Sequence, residues 1–133
     1  MTVRESIGRH FPFARWSVLR MGLGARHLFK SWQVGDGREA ALQRFVLEHA
    51  RPGDLEETIR TIDRFAYTKS FLINVGDEKG ALLDAAIVRV RPRVLLELGT
   101  YCGYSALRSI RAAPRDARLV TIELNPANAA IAQ

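Results

Sequence analysis

The chain has 133 residues, 47% apolar and 26% charged, with a net charge of +6 and a single cysteine. That balance describes one globular domain or part of a larger one, and a lone cysteine excludes an intrachain disulfide framework and fits a reducing, cytoplasmic setting. No apolar run approaches the roughly 18–20 residues needed to span a bilayer, and no apolar stretch near Met1 leads to a small-residue cleavage site, so a secretory signal is not expected.

The positive charge is placed unevenly. Residues 1–35 carry Arg4, Arg9, Arg15, Arg20, Arg26 and Lys30 against one acid, Glu5, which is +5 of the total of +6. The remainder is almost balanced, so the basicity belongs to a leader over residues 1–37 and not to a nucleic-acid-binding surface; no nucleic-acid partner is expected. The leader is read as a solvated extension packing through Phe11, Phe13, Trp16 and Leu19. A membrane-surface helix making weak contact through its basic residues, and a transit peptide, are the other readings.

Residues 38–133 form the second region. Leu42, Phe45, Val46 and His49 follow the i, i+3, i+4, i+7 spacing of an amphipathic helix over 38–50. Arg51-Pro52-Gly53 breaks it, and Asp54, with Glu57 three residues on, opens a second helix whose apolar face is Leu55, Ile59, Ile62 and Phe65–Ala66. Phe71 to Asp77 reads as a loop into a third helix over about 79–90, stopped by Pro92. Val94-Leu95-Leu96-Glu97-Leu98 has the near-continuous apolar character of a strand buried on both faces of a parallel sheet. A turn over 99–103, a helix over 104–113, a second strand over 118–123 and a helix opened by Asn125-Pro126 complete a β-α-β-α order, the start of a doubly wound α/β sheet. Two parallel strands make a poor sheet, and Gln133 falls inside a helix, so the sequence is read as incomplete.

The chemistry-bearing stretch is Leu95-Leu96-Glu97-Leu98-Gly99-Thr100-Tyr101-Cys102-Gly103-Tyr104-Ser105, followed by Val120-Thr121-Ile122-Glu123. The carboxyl end of the first strand of such a sheet is where a nucleoside-bearing ligand binds. Gly99 lets the backbone approach it, and the amides opening the next helix favour an anion. Glu123, 24 residues beyond Gly99, stands where a carboxylate can accept hydrogen bonds from both ribose hydroxyls. The Gly-x-x-x-Gly turn preceded by Glu97 departs from the G-x-G-x-x-G of dinucleotide folds and argues against a pyrophosphate. An acid at that point suits a ligand with an ammonium group. Cys102 is read as a small packing residue. His10, His27 and His49 have no metal-ligand spacing, and Asp77 and Glu78 are read as turn and helix-start acids.

This motif resembles the cofactor-binding motif of catechol O-methyltransferases. Asn74-Val75-Gly76-Asp77-Glu78-Lys79-Gly80 resembles that family's second N-terminal signature, and Ile122-Glu123-Leu124-Asn125-Pro126 its ribose-acid strand. The similarity runs from about Phe45 to Gln133. It implies the Rossmann-like doubly wound sheet of class I methyltransferases, truncated after its second strand and preceded by N-terminal helices. It also implies S-adenosylmethionine as methyl donor, a small-molecule catechol substrate and a required magnesium ion.

By the resemblance, Val75 and Gly99 contact the methionine part of the donor through the backbone. Tyr101 and Ser105 hold its carboxylate, Glu97 sits near its ammonium group, Glu123 binds the ribose and Leu124 packs on the adenine. Phe71 and Ile73 stand where the family commonly has a tryptophan and a methionine in the substrate pocket. The magnesium ligands and the lysine base of the family follow later strands, so neither metal nor catalytic residues are expected among these 133, and the chain alone is expected to be inactive. Two other classes stay open: a noncatalytic S-adenosylmethionine-binding or scaffold protein, and the dinucleotide-binding module of an oxidoreductase.

Overall fold

Arg51-Pro52-Gly53 cannot continue a helix, and the chain breaks there between two helices, α1 (Arg38–His49) and α2 (Leu55–Thr68). In the computed structural model, which describes residues 36–133 together with Val18, Gly22 and Gln33, the remaining elements are α3 (Gly76–Val90), β1 (Val94–Leu98), α4 (Tyr104–Ala112), β2 (Arg118–Ile122) and α5 (Pro126–Ala132). Most of the leader, including Phe11, Phe13, Trp16, Leu19 and its basic side chains, lies outside the described residues. None of the described helices is long and apolar enough to cross a membrane.

The cap expected at Asp54 forms: its side chain accepts from the Glu57 N–H at 2.9 Å. Glu57 does not reach back to the cap residue. Its carboxylate accepts from the backbone N–H and Nε of Arg51, both at 2.9 Å, so the acid closes the preceding turn.

α3 begins at Gly76, three residues before the expected start. Gly76 takes φ +71°, the left-handed region in which glycine alone is unstrained. The Gly-Asp pair that reads as a turn is therefore the entry to the helix. Asp77 and Glu78 sit in its first turn, where acids complement the dipole, and Asp77 also accepts from the Tyr67 hydroxyl of α2.

β1 and β2 pair in parallel, with Val94 opposite Arg118, Leu96 opposite Val120 and Leu98 opposite Ile122. The Gly99 N–H adds one more bond to the Ile122 carbonyl, 2.8 Å. α4 packs on β2, and α3 and α2 pack on α4. Leu95 and Glu97 are half-buried on the covered face. Val94, Leu96, Leu98, Val120 and Ile122 are exposed on the other face, because side chains alternate along a strand and no described element covers that face. The expectation of burial on both faces of β1 is met on one face only.

The core lies among the helices. Leu42 of α1, Ile59, Ile62 and Phe65 of α2, Leu72 of the loop after α2, Cys102 of the turn after β1, and Tyr104 of α4 are buried together. Each large aliphatic or aromatic side chain so buried contributes about 1.5–3 kcal/mol. His49, at the end of the predicted apolar face of α1, is exposed and stacks on Phe45.

A second, polar cluster locks α3 to α4. Arg108 is buried, donates to Asp84 of α3 and to the Tyr104 hydroxyl (3.0 Å), and Tyr104 donates to Asp63 of α2 at 2.6 Å. Arg111 joins Asp84 to Glu56. Gly80 admits the Arg108 guanidinium: a Cβ there would stand 2.6 Å from Cζ.

Candidate functional site

Parallel pairing in register brings the ends of β1 and β2 side by side, so Gly99 and Glu123 leave neighbouring strands next to each other. Gly99 has φ +90°, and a Cβ built on it would meet no atom of the described residues, its chain neighbours aside, within 4 Å. Its backbone therefore faces open space that a ligand can occupy closely. Glu123 is fixed by two backbone donors: Tyr101 N–H to Oε2 at 2.7 Å and Asn125 N–H to Oε1 at 2.8 Å. Each oxygen keeps acceptor capacity for a further donor.

A cavity of about 470 Å³ opens at this point, lined by Ile73, Leu98, Gly99, Tyr101, Ile122, Glu123, Leu124 and Asn128. Its volume falls in the range that holds a nucleoside-sized molecule, and a mostly apolar lining with a few placed polar groups is the usual make-up of such sites. Leu124 is 82% exposed and presents an open apolar surface beside Glu123. Tyr101, also at positive φ (+50°), places its ring on the wall while its hydroxyl donates to Glu39 of α1 at 2.9 Å. Burial first, then the neighbouring Cys102 and Glu39, push the Tyr101 hydroxyl well above the ordinary phenol range, so it remains a donor.

Of the residues singled out from sequence, Ile73, Gly99, Tyr101, Glu123 and Leu124 line this cavity together. Glu97 and Ser105 stand beside it as a pair: Ser105 donates to one Glu97 oxygen and Thr121 to the other, at 2.7 Å. Val75 is the N-cap of α3 and packs against the helix core. The Phe71 carbonyl accepts from Arg38. Val75, Glu97, Ser105 and Phe71 are not among the cavity-lining residues.

Three polar residues escaped the sequence reading. Asn128 of α5 is buried in the cavity wall, its Oδ1 accepting from Gln33 at 2.8 Å. Glu39 is buried although its helix position reads as an exposed first-turn acid. Asn74, between Ile73 and Val75, has a buried Nδ2 without a hydrogen-bond partner among the described residues. Only the signature spanning Asn74 pointed in that direction. Cys102 is buried in the core, and burial with the nearby Glu39 pushes its thiol up to about 12, which makes it a packing residue and not a nucleophile.

The family model for O-methyltransferases matches residues 50–133. The chain belongs to the O-methyltransferase family. Across 113 residues it is 56% identical to a protein named as a probable O-methyltransferase of Mycobacterium tuberculosis, covering 85% of this chain and 48% of that protein. It is 47% identical over 100 residues to mouse catechol O-methyltransferase (75% and 38%). Identity to human transmembrane O-methyltransferase is 42% over 89 residues (67% and 31%). This O-methyltransferase chain thus spans about half, or less, of the length of the relatives it matches. β1, α4 and β2 form one β-α-β unit of a Rossmann-like α/β fold, and the other four described helices lie outside that unit.

Proposed function

We propose that this chain forms the methyl-donor-binding part of an S-adenosylmethionine-dependent O-methyltransferase acting on catechol-type hydroxyls. The observation that carries the reading is the pairing of an unobstructed Gly99 backbone with the doubly anchored Glu123 carboxylate in one cavity. Glu123 would accept the ribose hydroxyls, and Leu124 would offer its apolar surface to the adenine. Gly99 and Val75 would meet the methionine part through the backbone. Ser105, turning from Glu97, would hold its carboxylate, and Glu97 would take its ammonium group; the Tyr101 N–H and O–H are held by Glu123 and Glu39, so Tyr101 shapes the wall and does not bond the carboxylate. When bound, the donor supplies a sulfonium methyl open to direct displacement by a hydroxyl oxygen. The chain's own share is to hold that donor in one orientation.

Ile73 on the cavity wall, and Phe71 two residues before it, would set an apolar boundary toward the acceptor. The catechol preference is supported by the similarity to proteins named catechol O-methyltransferases. A magnesium ion that acidifies the acceptor hydroxyl belongs to the same reading. The described residues offer no group of three His, Cys, Asp or Glu to hold it, so no step is assigned to it here. These 133 residues by themselves are proposed to bind the donor without transferring its methyl group.

Calorimetry of the 133-residue chain with S-adenosylhomocysteine and, separately, with NAD tests the reading. Binding of S-adenosylhomocysteine at one site, with no heat from NAD, is the expected result. Binding of NAD in its place, or of neither, overturns it.

A further inference from the structure

Two consecutive residues at the start of α1 bond to two different segments near the cavity, Arg38 to the one that leads into Ile73 and Glu39 to the turn after β1. Arg38 is buried, is paired with Asp36 at 2.9 Å, and donates from Nη1 to the Phe71 carbonyl, two residues before the cavity-lining Ile73. Glu39, 2% exposed, accepts from the Tyr101 hydroxyl 62 positions away. Tyr101 is the residue whose N–H anchors Glu123 and whose ring forms part of the wall. Its backbone sits in the left-handed region, a conformation that strains a non-glycine residue and persists only where its surroundings enforce it.

The geometry points to Glu39 as a positioning residue for the donor site: through the Tyr101 hydroxyl it fixes the tyrosine ring and the strained turn that presents Gly99 and anchors Glu123. The device lies on a helix outside the β-α-β unit, so the donor site is completed by α1. The proposal rests on the reading that the cavity takes a methyl donor. A buried carboxylate is costly to maintain and is retained where its hydrogen bonds fix something. Here the fixed object is a wall of the ligand cavity.

The test compares the wild-type chain with Glu39→Gln, Glu39→Ala, Tyr101→Phe and the Glu39→Ala/Tyr101→Phe double variant. Each is titrated with S-adenosylhomocysteine by calorimetry, and its thermal midpoint is measured without ligand. Glu39→Ala is expected to weaken binding about tenfold, the scale of one hydrogen bond to a charged group. Glu39→Gln, whose amide oxygen can accept the same bond, is expected to recover most of that affinity. The double variant is expected to be no weaker than the worse single one, because both remove one interaction. Equal affinity of the wild type and Glu39→Ala, or additive losses in the double variant, would overturn the proposal. If Glu39→Ala fails to fold, Tyr101→Phe decides, since it keeps helix and ring and deletes only the hydroxyl; unchanged affinity then rejects the positioning role. Absence of binding by the wild type would reject the methyl-donor reading itself, a different outcome from any of these.

Discussion

The Tyr101 backbone N–H donates to the Glu123 carboxylate at 2.7 Å, tying the turn after β1 to the tip of β2. With the Asn125 N–H on its other oxygen, Glu123 is the joint between both strand ends and the start of α5.

Replacing Glu123 by alanine leaves two backbone donors without their acceptor. A loss of about 2 kcal/mol in folding stability is expected, together with at least a thirtyfold drop in S-adenosylhomocysteine affinity. Glu123→Gln should recover little, because its amide NH2 would face one of the two N–H groups. Urea denaturation and calorimetry measure the two effects separately.

Gly99→Ala isolates the cavity from the fold. Among the described residues the added Cβ meets nothing beyond its chain neighbours, so its structural penalty there is the left-handed backbone, about 1–2 kcal/mol. The methyl group would enter space reserved for the ligand. We expect a folded variant, by circular dichroism, whose S-adenosylhomocysteine affinity falls tenfold or more.

Gly80→Ala acts on the helix packing. Its Cβ would stand 2.6 Å from the Arg108 guanidinium carbon and displace a buried cation from Asp84 and Tyr104. The guanidinium is the far end of a flexible side chain and can shift, so the cost is that of loosening its bonds to Asp84 and Tyr104, about 1–3 kcal/mol; the urea midpoint is expected to fall, with Gly53→Ala as the comparison. At Gly53 the added atom meets nothing, and φ +80° is the only penalty.

Acid sensitivity should trace to Asp84. Partial burial would raise its carboxyl, but the hydrogen bonds and charges of Arg108 and then Arg111 outweigh that and hold it below the ordinary value of 3.8. A carboxyl depressed in the folded state contributes stability above its unfolded pKa and loses that contribution as pH falls through the folded one. Stability is therefore expected to be flat with respect to this group above about pH 5 and to decline below about pH 4. Asp84→Asn, compared by urea denaturation at pH 6 and pH 3, should be less stable at pH 6 and show a smaller further decline.

The uncovered sheet face carries its own expectation. Val94, Leu96, Leu98, Val120 and Ile122 form an apolar patch of the kind that drives association. Light scattering should show mass rising with protein concentration, and Leu96→Lys, on the exposed face of β1, should reduce it without lowering the thermal midpoint.

The sequence disclosed what depends on local order. Asp54 with Glu57 announced a helix start, and the apolar run 94–98 with Gly99 and Gly103 announced strand, turn and helix, because capping and chain reversal need particular residues at particular offsets. Gly76-Asp77 misplaced the start of α3 by three residues, since turn chemistry and helix-entry chemistry use the same residue types. The bond from Tyr101 to Glu39 was invisible, because 62 residues separate the partners and a glutamate in a first helical turn has an ordinary explanation at the surface. Burial of β1 on both faces was inferred from composition, which reports how apolar a strand is and not what is packed on it.

Cys102 has a practical consequence. It is the single thiol in the sequence, buried at 8% exposure, where burial pushes it above the ordinary thiol range. It also lines a cavity of about 230 Å³ bounded by residues of α1, α2, α4 and α5, so an alkylating reagent reaches it as that cavity widens. The rate of labelling is thus an intrinsic clock for breathing of the helix cluster, readable by mass spectrometry without any engineered probe.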